Sequence, residues 1–96
     1  MSAYVVSRVR AKPGEALDSY RRLAADSIER HGGRYLVRGG EQQVLEGEWS
    51  PATIILEFPT IDAARAWYAS SDYGEALIYR DAALERDLVL VEGAIE

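Results

Sequence analysis

The chain has 96 residues, a formal net charge of −5 at pH 7, and a hydrophobic content of 48%. This length predicts one domain spanning residues 1–96, and the hydrophobic content excludes a disordered chain. The negative charge argues against nucleic-acid binding, because proteins that track phosphates carry a basic face. The absence of cysteine excludes disulfides, cysteine catalysis and thiolate metal sites.

No apolar run approaches the ~18 residues that a membrane-spanning helix needs. The first residues, MSAYVVSRVRAKPG, lack the apolar core of a secretory signal and carry a charge by Arg8. We therefore expect a cytoplasmic protein with no membrane partner.

The first half of the chain predicts a strand, a helix and a second strand. The segment AYVVSRVR (3–10) alternates and is rich in Val and Tyr, which is typical of a strand. Between residues 15 and 31 the apolar positions recur every three or four residues, which predicts an amphipathic helix. The Gly-Gly pair at 32–33 ends this helix, and RYLVR (34–38) is the second strand. The helix stripe consists of Leu17, Tyr20, Ala24, Ser27, Ile28 and His31.

The second half repeats this order after a polar segment. Thr60 is placed to cap one helix and Ser70 or Ser71 to cap another, since short hydroxyl side chains accept from the first free N–H groups. The predicted elements are a polar segment at 39–52 with a short hairpin arm around Gln43–Glu46, a strand at 53–58, helices at 61–70 and 72–84, and a strand at 86–93.

The repeated β-α-β order predicts an α+β, ferredoxin-like fold with a four-stranded antiparallel sheet and its helices on one face. The strands are apolar on both sides: in the first strand, for example, Tyr4 and Val6 oppose Val5 and Val9. Helices can cover only one of these faces, and leaving the other in water forgoes several kcal/mol of apolar burial. We therefore expect a homodimer that packs sheet against sheet.

Four stretches, HGGRYLVRGG, VLEGEW, AARAWYASSDYGEAL and ERDLVLVEG, resemble the bacterial domain-of-unknown-function family numbered 1330. The resemblance covers residues 4–93 and implies a dimeric alpha-beta barrel with no known activity. Wider relatives of that superfamily include cofactor-independent monooxygenases, muconolactone isomerases, haem-handling enzymes and ligand-sensing domains. They share a fold, and a fold does not determine function.

His31 and Glu57 are the candidate catalytic residues. His31 could act as a general base or bind haem, but it also ends a helix, where a cationic side chain interacts favourably with the dipole. Glu57 lies in the apolar strand TIILEF, where an unpaired carboxylate would have a raised pKa and could exchange protons. The structural alternative pairs it with Arg8 or Arg38. With a single histidine and no cysteine, we expect no metal site and no cofactor.

Arg38 is the first candidate for ligand binding. It precedes Gly39 and Gly40, which permit close approach, and a strand period of two places it on one face with Arg34 and Leu36. It could bind a carboxylate through two N–H groups, or form an ion pair with Glu41, Glu57 or Glu92.

Tyr68, Tyr73 and Arg80 could form a ligand-binding rim around the helix break ASSDY, since Arg80 lies two turns after Tyr73. The structural alternative is a helix that docks by its aromatic side chains. Trp49 lies in the polar segment, and we expect it at the dimer contact.

The leading functional prediction is a homodimer that binds a small apolar or weakly anionic molecule between sheet and helices. One alternative is a cofactor-independent enzyme, monooxygenase-like or isomerase-like, with Glu57 or His31 as base and Arg38 stabilising an oxyanion. Another is a purely structural or stress-related dimer. The sequence leaves open whether the protein is an enzyme.

Overall fold

A computed structural model describes residues 1–94, and its strands form a single antiparallel sheet in the order β2-β3-β1-β4. This is the predicted ferredoxin-like α+β fold, with the helices on one side of the sheet. In chain order the elements are β1 (Ala3–Ala11), α1 (Glu15–Arg30), β2 (Arg34–Arg38), β3 (Ala52–Phe58), α2 (Ile61–Tyr68), α3 (Ser71–Leu77), α4 (Arg80–Ala83) and β4 (Leu84–Glu92).

The sheet side that the helices cover, here called the helix face, carries the hydrophobic core. Alternate residues of β1 are buried beneath α1, as the period of a strand requires. The buried residues of α1 are those of the predicted stripe except His31, which is half-buried at the helix end. The largest buried side chains of the core are Phe58, Trp67 and Tyr73.

Local signals in the sequence explain where the helices begin and end. The Thr60 hydroxyl accepts from the Ala63 N–H at 3.0 Å, and the Ser70 hydroxyl accepts from the Tyr73 N–H at 3.1 Å, so both predicted caps are confirmed. α1 ends at Arg30 with His31 as its cap, and the next residue, Gly32, has a φ of 78°, which glycine readily adopts.

Three predicted elements differ from the structure. The helix predicted at 72–84 is interrupted after Leu77 and continues as the separate short α4, and β4 begins earlier than predicted. Gln43–Glu46 contains no strand, so the predicted hairpin arm is wrong. This segment has little to pack against, since its residue Leu45 is 83% exposed.

The opposite side of the sheet, here called the open face, has an apolar centre between charged rows. The central row crosses every strand and consists of Val37, Ile55, Val6 and Val89. On one side of this row Arg34 pairs with Glu57 at 2.7 Å, and on the other Arg8 pairs with Asp87 at 2.8 Å. The predicted second apolar surface therefore exists, but it is a stripe bordered by ion pairs.

Gly33, between α1 and β2, tests how tightly this joint is packed. A Cβ at Gly33 would lie 2.6 Å from Phe58 Cε1 and 2.9 Å from Ile28 Cγ2, whereas a Cβ at Gly40 would contact nothing within 4 Å. We expect Gly33→Ala to lower the free energy of unfolding by about 1–3 kcal/mol, because overpacking forces the core to shift. Gly40→Ala is the control, and equal urea midpoints for the two variants would contradict the packing described here.

Candidate functional site

A cavity of about 380 Å³ lies between α1 and the helix face of the sheet. Strands β1, β3 and β4 provide its floor, α1 its roof, and β2 one edge. Most of its lining is aliphatic or aromatic, with few polar groups. The hydroxyl and guanidinium groups in the lining belong to Ser7, Tyr20, Arg21, Tyr35, Arg38 and Arg86.

Arg86 lies at one end of the cavity and is held there by tyrosine hydroxyls. It occupies a helix-face position of β4 between Leu84 and Leu88, so the strand carries its side chain under the helices. Its Nη1 donates to the Tyr20 hydroxyl and its Nη2 to the Tyr73 hydroxyl, each at 2.5 Å. The two hydroxyl oxygens are 2.7 Å apart. Helices α1 and α3 thus hold one guanidinium through two phenols.

One of the two tyrosine O–H groups in this cluster has no acceptor within the described residues. Either hydroxyl could donate across this contact, but Tyr73 is fully buried and does not line the cavity, so we infer that the Tyr73 O–H donates to the Tyr20 oxygen, which is its one acceptor among residues 1–94. The Tyr20 oxygen then accepts from both Tyr73 and Arg86, and its own proton has no acceptor among residues 1–94. Since Tyr20 lines the cavity, this O–H is available to a bound molecule.

The charge of Arg86 has no acidic partner in the described part of the chain. No carboxylate oxygen of residues 1–94 lies within 4.0 Å of the Arg86 guanidinium. Burial acts to lower the pKa of Arg86, but the Tyr20 and Tyr73 oxygens outweigh it and the net pKa is raised. Burial also raises the pKa of Tyr20, so this phenol stays neutral. The cluster therefore carries a positive charge that its partners do not neutralise.

Arg38 lies at the opposite edge of the cavity. Its guanidinium carbon is 4.1 Å from the centre of the Tyr35 ring, which is a cation–π contact. Burial raises the pKa of Tyr35, and within residues 1–94 its hydroxyl has no hydrogen-bond partner. Both residues line the cavity, and the predicted role of Arg38 in ligand binding stays a prediction.

The predicted grouping of Arg38 with Arg34 and Leu36 on one face is wrong. β2 has an irregularity between Tyr35 and Val37, so the period of two breaks at Leu36. Arg34 consequently pairs across the sheet with Glu57 on the open face, whereas Arg38 lies opposite Ile54 on the helix face.

Glu57 does not line the cavity. Its carboxylate accepts from Arg34 Nε at 2.7 Å and from the Tyr4 hydroxyl at 3.3 Å, so its partner is neither Arg8 nor Arg38. The hydrogen bond from Arg34 lowers the pKa of Glu57, contrary to the raised value expected of an unpaired carboxylate. A tightly paired carboxylate is a poor proton acceptor, so the geometry argues against Glu57 as the base.

His31 is also outside the cavity. It is the C-terminal cap of α1, and its Nε2 is 3.7 Å from an Asp72 carboxylate oxygen. This geometry fits the structural alternative, and His31 is not among the residues that line the cavity. The functional roles proposed for His31 remain predictions without support from its position.

The predicted rim of Tyr68, Tyr73 and Arg80 does not form. Tyr68 is 46% exposed and lines an outer groove with Arg80, whose Nε contacts Asp81 at 3.4 Å. Tyr73 points inward to Arg86 instead. An arginine does approach Tyr73, but it comes from β4 and not from the same helix, because α3 ends before Arg80.

Trp49 lies beside the open face and is partly exposed. Its Nε1 donates to the Thr53 hydroxyl at 3.0 Å, and the Arg8 guanidinium lies 5.3 Å from its ring centre. Its predicted place at a dimer contact remains a prediction.

Tyr20 and Arg86 are the site residues that the sequence reasoning missed. The pattern does carry a signal for Arg86, because the alternation Leu84, Leu88, Leu90 places a charged residue at a core position of β4. Tyr20 was assigned to the core stripe, and the stripe gave no indication that its hydroxyl meets a residue 66 positions further along the chain.

Residues 2–94 match the family described as Domain of unknown function (DUF1330). The chain belongs to this family. No curated protein matches it in sequence. The DUF1330 assignment agrees with the predicted resemblance, and it carries no activity of its own.

Solved structures similar to this DUF1330 protein share its fold at low identity. A protein of unknown function from Rhodopseudomonas palustris aligns with a TM-score of 0.76 and 23% identity, over 99% of this chain and 84% of the other. A dimeric ferredoxin-like protein of unknown function from Jannaschia sp. CCS1 aligns with a TM-score of 0.66 and 13% identity, over 97% of this chain and 100% of the other. SnoaB, a cofactor-independent oxygenase from Streptomyces nogalater, aligns with a TM-score of 0.63 and 14% identity, over 99% of this chain and 95% of the other.

At these identities the likeness shows the fold alone. None of the helices within residues 1–94 has the length and hydropathy of a membrane-spanning segment.

The Tyr73 hydroxyl can be tested separately from the aromatic packing around it. Tyr73→Phe keeps the ring but removes an acceptor from Arg86 and a donor to Tyr20. We expect the free energy of unfolding to fall by about 1.5–3 kcal/mol, since a hydrogen bond to a buried charge is lost. Tyr68→Phe is the matched control, because its hydroxyl is exposed. Urea denaturation of both variants measures the difference, and a Tyr73→Phe midpoint as high as that of the control would contradict the cluster.

Proposed function

We propose that the cavity beneath α1 binds a small anionic molecule with an apolar body. The observation that carries the proposal is the Arg86 guanidinium, which is held by two tyrosine hydroxyls and has no carboxylate partner among residues 1–94. A charge removed from water is costly unless an opposite charge compensates it. A bound carboxylate or phenolate would supply that charge.

The rest of the lining supports the same ligand class. The cavity also holds Arg21 and Arg38, and none of its described lining residues is acidic, although the whole chain has a net charge of −5. The field inside the cavity is thus opposite in sign to that of the chain. The aliphatic and aromatic walls favour an apolar body, and the volume of about 380 Å³ falls at the small end of the usual range for ligand pockets.

Tyr20 would complete the recognition of the anion. Its free O–H and the Arg86 guanidinium lie side by side at one end of the cavity, so one oxygen group of a ligand can accept from both. The lining residues described carry no carboxylate or imidazole to remove a proton from a substrate. Binding, rather than base catalysis by a side chain, is therefore the function we propose.

Ligand binding can be tested with a panel of small aromatic and aliphatic carboxylates and phenols. We expect members of the panel to raise the melting temperature of the wild type, since a ligand that binds the folded state stabilises it. Arg86→Gln should raise the dissociation constant of these ligands about 10-fold or more, because a charge-assisted contact is lost.

Arg22→Gln is the control for this experiment, because it makes the same charge change at an exposed position of α1 outside the cavity lining. Isothermal titration calorimetry gives the dissociation constants. Binding that both variants weaken equally would indicate nonspecific attraction, and an absence of binding across the panel would remove the proposal.

We also propose that two copies of the chain associate through the open face. The ion pairs of this face, Arg34–Glu57 and Arg8–Asp87, are closed within one chain, so packing against a second copy leaves no unpaired charge there. The apolar row between them includes Val89, which is 56% exposed. Two solved neighbours, from Jannaschia sp. CCS1 and Bacteroides fragilis, are described as dimeric, which supports the proposal.

A charge placed on the apolar row should separate the dimer. We expect light scattering at micromolar concentration to give twice the chain mass of 10.7 kDa for the wild type and the single-chain mass for Val89→Asp. Ile78→Asp is the control, because Ile78 is exposed but lies after α3, away from the sheet. A wild type that is already monomeric, or two variants that behave alike, would contradict the assembly.

A further inference from the structure

The cavity has the same pair of chemical groups at each of its two ends. At one end the Arg86 guanidinium lies beside the Tyr20 hydroxyl, and at the other the Arg38 guanidinium lies against the Tyr35 ring. The Tyr35 hydroxyl, like that of Tyr20, keeps a proton for which residues 1–94 provide no acceptor. Each end therefore offers a positive charge and a phenol donor.

Arg38 is held in an orientation that leaves its donors unused. Its guanidinium packs on the Tyr35 ring at 4.1 Å, and a contact of this kind uses the π-face of the ring and not the N–H groups. Within the described chain no carboxylate reaches Arg38, although the sequence had suggested Glu41, Glu57 or Glu92. Guanidinium donors that lie in one plane suit the two oxygens of a carboxylate.

The sheet fixes the separation of the two ends. Arg86 is on β4 and Arg38 on β2, which are the opposite edge strands, with β1 and β3 between them. Neighbouring strands are about 4.8 Å apart, and the strand pairing places Arg86 two residues along β4 from the residue level with Arg38, so the two Cα atoms are separated by roughly 16 Å. The floor between them is formed by small and aliphatic side chains, which leave an uncharged, shallow surface. These are Ser7, Val9, Ala52 and Ile54.

We propose that the ligand carries an anionic oxygen group at each end of a flat apolar body, so that one group binds Arg86 and Tyr20 and the other binds Arg38 and Tyr35. This inference rests on the proposed function and adds the number and placement of the charges. A molecule with one acidic group would satisfy Arg86 and leave Arg38 in water. A flexible chain would lose more conformational entropy on binding than a conjugated or aromatic body of the same length.

The test compares two rigid anions that differ by a single carboxylate. Cinnamate carries one carboxylate, and 4-carboxycinnamate carries a second at the opposite end of the same conjugated body. We expect the wild type to bind the dianion about 10-fold more tightly in calorimetry at pH 7.5. Arg38→Gln should abolish that advantage, and it should raise the dissociation constant of cinnamate much less than that of the dianion. Arg38 is exposed, so its replacement leaves folding intact.

Arg22→Gln again controls for the general loss of positive charge, and it should preserve the preference for the dianion. Equal affinities of the wild type for the two anions would overturn the two-ended ligand, as would a preference that survives Arg38→Gln. Either result leaves the single-anion function standing, provided that Arg86→Gln still weakens cinnamate. A wild type that binds neither compound, nor any member of the wider panel, overturns both proposals.

Discussion

The contact on which the site depends is the one between Arg86 and two tyrosine hydroxyls. A carboxylate partner would have satisfied the same N–H groups and cancelled the charge, leaving a neutral and closed core. Phenols accept the hydrogen bonds and leave the charge in place, because a hydroxyl oxygen, unlike a carboxylate, brings no negative charge to the contact. The folded chain thus retains a positive field in an apolar cavity. Elsewhere the core is apolar, with Phe58 and Trp67 buried and their ring centres 5.3 Å apart.

The charged side chains are paired on one face of the sheet and lack acidic partners on the other, and this difference would separate the proposed assembly from the proposed binding. On the open face, Glu57 and Asp87 each neutralise an arginine on a neighbouring strand. On the helix face, the arginines that line the cavity have no acidic partner within residues 1–94. Ion pairs around an apolar row suit contact with another protein surface, because no charge is left unpaired there. Arginines without acidic partners suit the binding of a small anion. Since the sheet lies between them, a partner on the open face does not block the cavity.

The sequence was sufficient for the fold because its signals are local and periodic. Thr60 and Ser70 cap helices within three residues, and the stripe through Tyr20 repeats at the helical period. The site was harder because its geometry depends on long-range and irregular features. The bulge at Leu36 reverses the face of Arg38 without any glycine or proline to mark it. Glu57 was recognised as a charged residue in an apolar strand, but its partner is set by strand register, which the sequence did not specify.

The absence of a base in the described lining bears on what the cavity can do with a bound acid. A positive charge beside an acidic group stabilises its ionised form, so Arg86 lowers the pKa of a carboxylic acid or phenol that binds next to it. Because the pKa of the bound acid is lowered, its proton is released to solvent, and no side chain needs to accept it. Tyr20 meanwhile holds a proton near the same oxygen, which stabilises the anion by a hydrogen bond without neutralising it. If the proposed ligand binds there, a cavity with these properties would select its charged form and hold it as an anion. That selectivity arises from the tyrosine partners of Arg86, and an acidic partner in their place would remove it.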